Sequence, residues 1–361
     1  MTIDTTQRDP DRDIAPAPPV TLEKQGQLPR MIVPGVLVAA AVVVGVLVAL
    51  IGFNIGLFVI ATAIVFTITL YVLARAVEGS RKATDRLVTA VVTSAFALAL
   101  IPLVSVILTI VTNGVARFDA EFFGSSMRGV VGEGGGAYHA IIGTLIVTVL
   151  AAVMSIPIGL LTAVYLVEYG KGRLARSITF FVDVMTGIPS IVAGLFAVAL
   201  FTALLGPGAR FGFAGSVALS VLMIPVVVRA TEEMLKIVPN ELREASYALG
   251  VPKWRTIIKI VIPTSIAGIT SGITLAIARV IGETAPLLVT VGLVANVNLN
   301  PFDGRMATLP VFAYNSYANP GVPRDPYIDR AWTAALILII IVMVLNLAAR
   351  LIARAFAPKT R

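Results

Sequence analysis

Cysteine is absent from the 361 residues, which excludes a disulfide framework, a zinc–thiolate centre and a thiol nucleophile. Histidine occurs once, at His139, so no H-E-x-x-H pair of metal ligands can form. No ligands cluster around it, and it reads as an interfacial residue. No G-x-x-x-x-G-K-[ST] occurs, so the chain has no phosphate loop for ATP. The glycine run 132–136 does not replace one: no strand precedes it and no Lys-Ser/Thr follows, so it reads as a flexible lead-in to a helix. An intramembrane enzyme would need paired aspartates at depth, a His-Glu metal motif or a Ser-Lys dyad, and none is present. Charge is scarce too, at 13% of residues.

What remains is apolar. The chain is 57% hydrophobic, with a mean hydropathy of +0.93, and a soluble domain cannot be that greasy. Eight runs suit a bilayer: 33–51, 57–74, 87–111, 140–167, 178–204, 214–231, 263–292 and 332–353, each near or above the ~20 residues a span needs. The expected class is therefore an all-α, polytopic membrane protein. Residues 1–30, with Asp4, Asp9, Asp11 and Asp13 among prolines, have too little apolar surface to fold and are expected to be a disordered cytoplasmic tail. The net charge of +8 would suit nucleic acid in a soluble protein. In a membrane protein, basic loops report topology. Loops 75–86, 168–177 and 229–260 carry four, three and six Lys or Arg, against two, one and three at 113–137, 205–213 and 293–331. Both termini are thus expected in the cytoplasm, and no nucleic-acid partner is expected.

Few groups inside the spans carry chemistry. Arg279 and Glu283 are four apart, which on a helix puts both side chains on one face. Charge at such depth is expensive and usually marks a transport path. The alternatives are a self-contained salt bridge, or a forked guanidinium presented to a tetrahedral oxyanion, with Glu283 orienting it, tempering its grip or accepting a proton from hydrogen phosphate. Pro189 interrupts the 178–204 run and predicts a kink, where the hydroxyls of Thr186 and Ser190 either meet a passing anion or satisfy the broken backbone. Asp183 reads as a partner for Arg173 or Arg176. Gly268 and Gly272 form a G-x-x-x-G suited to close helix packing. The outer segment 293–331 contains a short possible helix, Thr308 to Tyr317.

The stretch 239–263 is the most polar one between two spans. Asn240 reads as an N-cap with Glu241 and Glu244 in the first turn, Gly250 as a left-handed C-terminal residue, and Pro252 as the opening of a second helix. A helix from Glu241 to Leu249 is about 13 Å long, too short to stand alone in water, so it must dock. Glu244, Ala245, Gly250, Ile260 and Pro263 stand at the spacing of the EAA loop of ABC importer permeases, E-A-A-x3-G-x9-I-x-L-P, departing only at Ser246 and Ile262.

That loop, with GIPSIVAGLF, ARVIGETAPLL and TLPVFAYNSY, resembles the phosphate-specific ABC permeases, most closely those of PstA type. The resemblance implies a six-helix type I importer core over residues 87–355, with 31–86 as an added N-terminal hairpin. It implies a PstC-like permease partner, a PstB-like ATPase dimer that binds the ATP and magnesium this chain does not, and a PstS-like extracytoplasmic phosphate-binding protein. It places Arg279, Glu283, Thr186 and Ser190 on the substrate path, and Glu244, Ala245 and Gly250 at the contact with the ATPase, in a prokaryotic inner membrane. The same machinery moving sulfate or molybdate, or a scaffold that recruits an ATPase without transporting, stays open on this reading.

Overall fold

The structure, a computed structural model, describes residues 27–29 and 31–356. The expected disordered tail, 1–30, lies outside the described residues except for 27–29. Among the described residues the regular elements are all helical. The chain divides into two compact units, 1–106 and 107–361, whose boundary falls inside one long helix.

The first unit holds α1 (Ile32–Ile51), α2 (Ile55–Glu78) and most of α3 (Ser80–Gly114). The turn between α1 and α2 is closed by Asn54, whose side chain accepts the Leu57 N–H at 3.1 Å. Ala40, Phe66, Leu70 and Ala90 form a small core. At the end of α2 the buried Glu78 accepts from Arg86 Nη2 at 2.8 Å and from the Leu28 backbone N–H at 2.7 Å.

The second unit begins with the end of α3 and the single turn α4 (Ala120–Gly124). A long helix, α5 (Tyr138–Val164), then continues through a π-helical turn, Tyr165–Tyr169. After it come α6 (Arg173–Gly187), α7 (Ser190–Leu205), α8 (Gly212–Ile237), the short α9 (Asn240–Ala248) and α10 (Lys253–Thr256). A second π-helical turn, Ile257–Val261, joins α10 to α11 (Ile262–Ile281), and α12 (Ala285–Thr290), α13 (Leu309–Ala318) and α14 (Asp325–Phe356) complete the unit. Among the described residues seven segments are long and apolar enough to cross a membrane, and α6 with α7 makes an eighth if the pair counts as one span. Each predicted run falls on one of these. Two differ in shape. The 178–204 run turns by 108° between α6 and α7, far more than a proline kink. The 263–292 run stops at Ile281, and α12 follows as a separate short helix.

Helix α8 is the centre of the second unit. Val147 and Ala151 of α5, Leu219, Met223 and Val227 of α8, and Ala276 of α11 form its main core. Small residues set the spacing, because in lipid, helices associate by close packing rather than by expulsion of water. A Cβ on Gly159 would lie 2.6 Å from Val227 Cγ1, and one on Gly272 would lie 2.5 Å from Ala230 Cβ. The predicted G-x-x-x-G therefore packs α11 on α8. At Gly143 an added Cβ would meet the Ala307 carbonyl oxygen at 2.0 Å, and backbone cannot step aside as a side chain does. Gly143→Ala is expected to cost about 1–3 kcal/mol through overpacking, read as a lower midpoint in thermal unfolding of the purified complex. Gly35→Ala, with nothing within 4 Å, serves as the comparison and should not lower it.

Candidate substrate path and coupling site

The segment 239–263 is built on buried charge. Arg243 of α9 donates through Nε and Nη2 to Glu168 Oε1 at 3.1 and 3.0 Å. Its Nη1 donates to the Val238 carbonyl at 2.6 Å and its Nη2 to the Leu235 carbonyl at 2.9 Å. Both side chains are nearly out of water, at 12% and 5% exposure. One guanidinium thus ties α9 to the end of α5 and satisfies two of the carbonyls that the C-terminus of α8 leaves open. Lys253 Nζ donates to the Glu168 carbonyl, and the buried Ser246 Oγ meets the buried Thr256 Oγ1 at 2.8 Å. Ser246, where the EAA pattern has alanine, locks α9 against α10.

The expected capping changes in detail. Asn240 is the first residue of the helix rather than its cap; the cap is Pro239, with no side-chain bond, and the Asn240 side chain accepts from Arg243 at 3.3 Å. Pro252 sits one residue before α10 instead of in it. Gly250 has φ +72°, the left-handed conformation that ends the helix, as predicted. With Arg243 and Ser246 turned inward, Glu241, Glu244, Ala245 and Ala248 form the exposed face, followed by Leu249 at 83% exposure. Glu244, Ala245 and Gly250 therefore lie together on an open surface.

The other predicted residues are less tightly grouped. Arg279 is exposed near the end of α11 on a stripe with Ser271 and Leu275, opposite the buried Ser265, Ile269, Ala276 and Val280. Glu283 is not on the same helix. α11 closes at Gly282, where the Glu283 N–H donates to the Val280 carbonyl at 3.1 Å, so the carboxylate stands in the break before α12. Among the described residues Arg279 and Glu283 make no ion pair with each other or with any other group. The self-contained salt bridge is absent. Thr186 returns its hydroxyl to the Val182 carbonyl at 2.9 Å, and Ser190 opens α7 without capping it by its side chain. α7 and α12 press together where a Cβ on Gly194 would lie 2.6 Å from Pro286 Cα, so the helix that Ser190 begins packs on the helix that Glu283 precedes.

Three expectations need correction. Asp183 pairs with Arg229 of α8, not with Arg173 or Arg176, because the α6 face that carries it lies on α8. His139 is buried rather than interfacial, 2% exposed and edge-on to Phe312 at 5.5 Å. The glycine run is a fixed loop. Arg330, fully buried and stacked on Tyr327, donates to the Gly132 and Gly134 carbonyls at 2.7 and 2.9 Å. Arg117 donates to the Gly135 carbonyl at 2.9 Å. Beside it Asp119 caps α4, and the Phe122 N–H, then Arg117, hold its carboxyl below the usual range.

Comparison with known proteins bears on this arrangement. Residues 155–361 match the family described as binding-protein-dependent transport system inner membrane component. The chain belongs to that family. It is 53% identical over 262 residues to "Phosphate transport system permease protein PstA 1" of Mycobacterium tuberculosis (strain CDC 1551 / Oshkosh), covering 72% of this chain and 85% of the relative. It is 49% identical over 281 residues to the PstA protein of Mycobacterium leprae (strain TN), covering 76% and 90%. With the PstA protein of Pasteurella multocida (strain Pm70) it shares 39% over 249 residues, covering 68% and 86%. Among solved structures, a bacterial alginate ABC transporter in complex with an alginate-bound periplasmic protein aligns with a TM-score of 0.56 at 14% identity, over 77% of this chain and 96% of that one. The fold is that of a type I ABC importer permease. As a member of this family the chain is a multi-pass inner-membrane subunit of a transport system that works with a binding protein and an ATPase. It is not an enzyme in its own right.

Proposed function

We propose that the chain is the permease subunit through which an ATP-driven importer passes inorganic phosphate, with Arg279 as the oxyanion's contact. The observation that carries the substrate path is the free guanidinium. Against lipid at depth an arginine costs about 2.5–3.5 kcal/mol, so the Arg279 stripe faces water or a second, PstC-like subunit across which the path runs. Its planar fork suits a tetrahedral oxyanion, and the unpaired Glu283 nearby weakens the hold enough for release. The relatives' names supply the phosphate.

On this reading both termini and α9 are cytoplasmic. A PstB-like ATPase dimer, which binds ATP and magnesium, seats the exposed face at Glu244, Ala245 and Gly250. A PstS-like binding protein delivers phosphate to the outer loops. Closure of the ATPases carries α9, and through the Arg243–Glu168 clamp it moves α5 and α8 and opens the path outward.

The test is radiolabelled phosphate uptake in cells lacking their own high-affinity importer, supplied with this chain and its partner subunits. Uptake that excess sulfate does not compete is expected, and sulfate-competed uptake would move the assignment to another oxyanion. Gly250→Asp and Glu244→Lys should leave the chain in the membrane yet lower uptake about tenfold or more, since an aspartate in the left-handed region is strained by about 1–2 kcal/mol and a lysine reverses the docking charge. Full uptake by both variants would remove the ATPase contact from α9.

A further inference from the structure

The first unit holds a groove to which the proposed phosphate path assigns no residue. α2 and α3 run back along each other from Gly79, yet few of their residues touch, and a wedge opens between them with α1 along one side. A cavity of about 560 Å³ lies where the two helices join, lined by Glu78, Lys82, Asp85 and Arg86 and, further in, by Phe66 and Leu70. A second cavity of about 360 Å³ continues it past Phe66 and Thr93, which line both, to Leu37, Ala97, Leu98 and Ile101.

One face of α3 runs the length of this groove, and its residues change character in order. Lys82, Asp85 and Arg86 are charged, Thr89 and Thr93 carry hydroxyls, and Ala97, Leu98 and Ile101 are hydrocarbon. From Arg86 to Ile101 is about 22 Å of helix, close to the depth of one leaflet, which is half of a 40–45 Å bilayer. The order of charge, then polar linkage, then hydrocarbon is that of a phospholipid.

The charges select the headgroup. Glu78 and Arg86 are satisfied by each other. Lys82 and Asp85 are exposed and enter no ion pair among the described residues; Lys82 acts on Glu78 and Asp85 on Arg86 only through space, which leaves a cation and an anion at the mouth open to a ligand. An anionic headgroup would meet Asp85 as well as Lys82, whereas a phosphate carrying an ammonium matches both.

We propose that this groove binds one phospholipid of the ethanolamine type, its phosphate against Lys82, its ammonium against Asp85 and an acyl chain along Ala97, Leu98 and Ile101. Placing it in the inner leaflet rests on the orientation given under the proposed function; binding itself does not, so failure of either leaves the other standing.

The experiment is native mass spectrometry of the assembled complex after mild detergent exchange, with defined phosphatidylethanolamine or phosphatidylglycerol added back. One tightly held ethanolamine lipid per chain is expected. Ala97→Trp should fill the apolar cavity and lower occupancy, and Lys82→Gln should weaken binding about fivefold, the effect of one cation near a lipid phosphate. Asp85→Lys should shift the preference to phosphatidylglycerol, which a non-specific annular lipid would not do. A photo-crosslinking residue at position 93 should capture lipid. Absence of a retained lipid, equal retention by Ala97→Trp, or a crosslink to polypeptide would each overturn the proposal.

Discussion

Replacing Arg279 with glutamine is expected to lower phosphate uptake about ten- to hundredfold while the complex assembles at normal levels. The size follows from what is lost: a charge-assisted, forked contact to an oxyanion is worth about 1.5–3 kcal/mol more than its absence. Folding should hardly suffer, because Arg279 is exposed on α11 and no carboxylate among the described residues depends on it. That separates this residue from a structural ion pair, whose loss would strand a partner. Arg279→Lys is the sharper comparison. It keeps the charge but presents a point donor in place of a planar fork, so uptake should fall between the natural chain and the glutamine variant. Glu283→Gln should act in the other direction on affinity, removing a like charge from the anion's surroundings and slowing release. Measured uptake, with membrane levels checked for each variant, decides the matter. Equal transport by Arg279→Gln and the natural chain would leave α11 as packing alone.

How much of this was legible in the residues depends on the kind of signal. Span number and the short helix α9 were legible because hydropathy and turn residues act locally: Gly250 takes the left-handed φ its position requires. Direction changes inside apolar text were not. Between Ile262 and Val291 the polar dip at 279–286 reads equally as charge carried on one helix or as a break between two, so the stop at Gly282 and the restart at Ala285 left Arg279 and Glu283 looking like one helical face when they are not. Pro189 announced a break, but the 108° turn is set by what α7 packs against, which no neighbouring residue encodes. Asp183 has nearer arginines in sequence than Arg229, and the choice is made by α6 lying on α8. The clamp behind α9 was invisible for the same reason, since Glu168 and Arg243 are 75 residues apart.

That clamp carries the second large effect. Arg243→Ala is expected to leave the spans in the membrane, to detach α9 and to bring uptake below about 1% of the natural level, since breaking one side of a buried ion pair costs about 3–5 kcal/mol. ATP hydrolysis by the assembled complex should lose its dependence on the delivered substrate, which distinguishes uncoupling from loss of the path at Arg279. Two readings of the clamp then compete. If attraction to Glu168 is what matters, the exchange Arg243→Glu with Glu168→Arg should restore coupling. If the two α8 carbonyls matter as much, the exchange should fail, because a glutamate at 243 offers them no donor and each buried carbonyl left unpaired costs about 1–3 kcal/mol. The geometry favours the second outcome: of the guanidinium's four close bonds here, two reach one carboxylate oxygen and two reach the Leu235 and Val238 carbonyls. Glu168→Gln, which keeps an acceptor for Arg243 and spares the carbonyl bonds, should therefore retain more transport than Arg243→Ala. A glutamine variant as inactive as Arg243→Ala would return the weight to the charge pair.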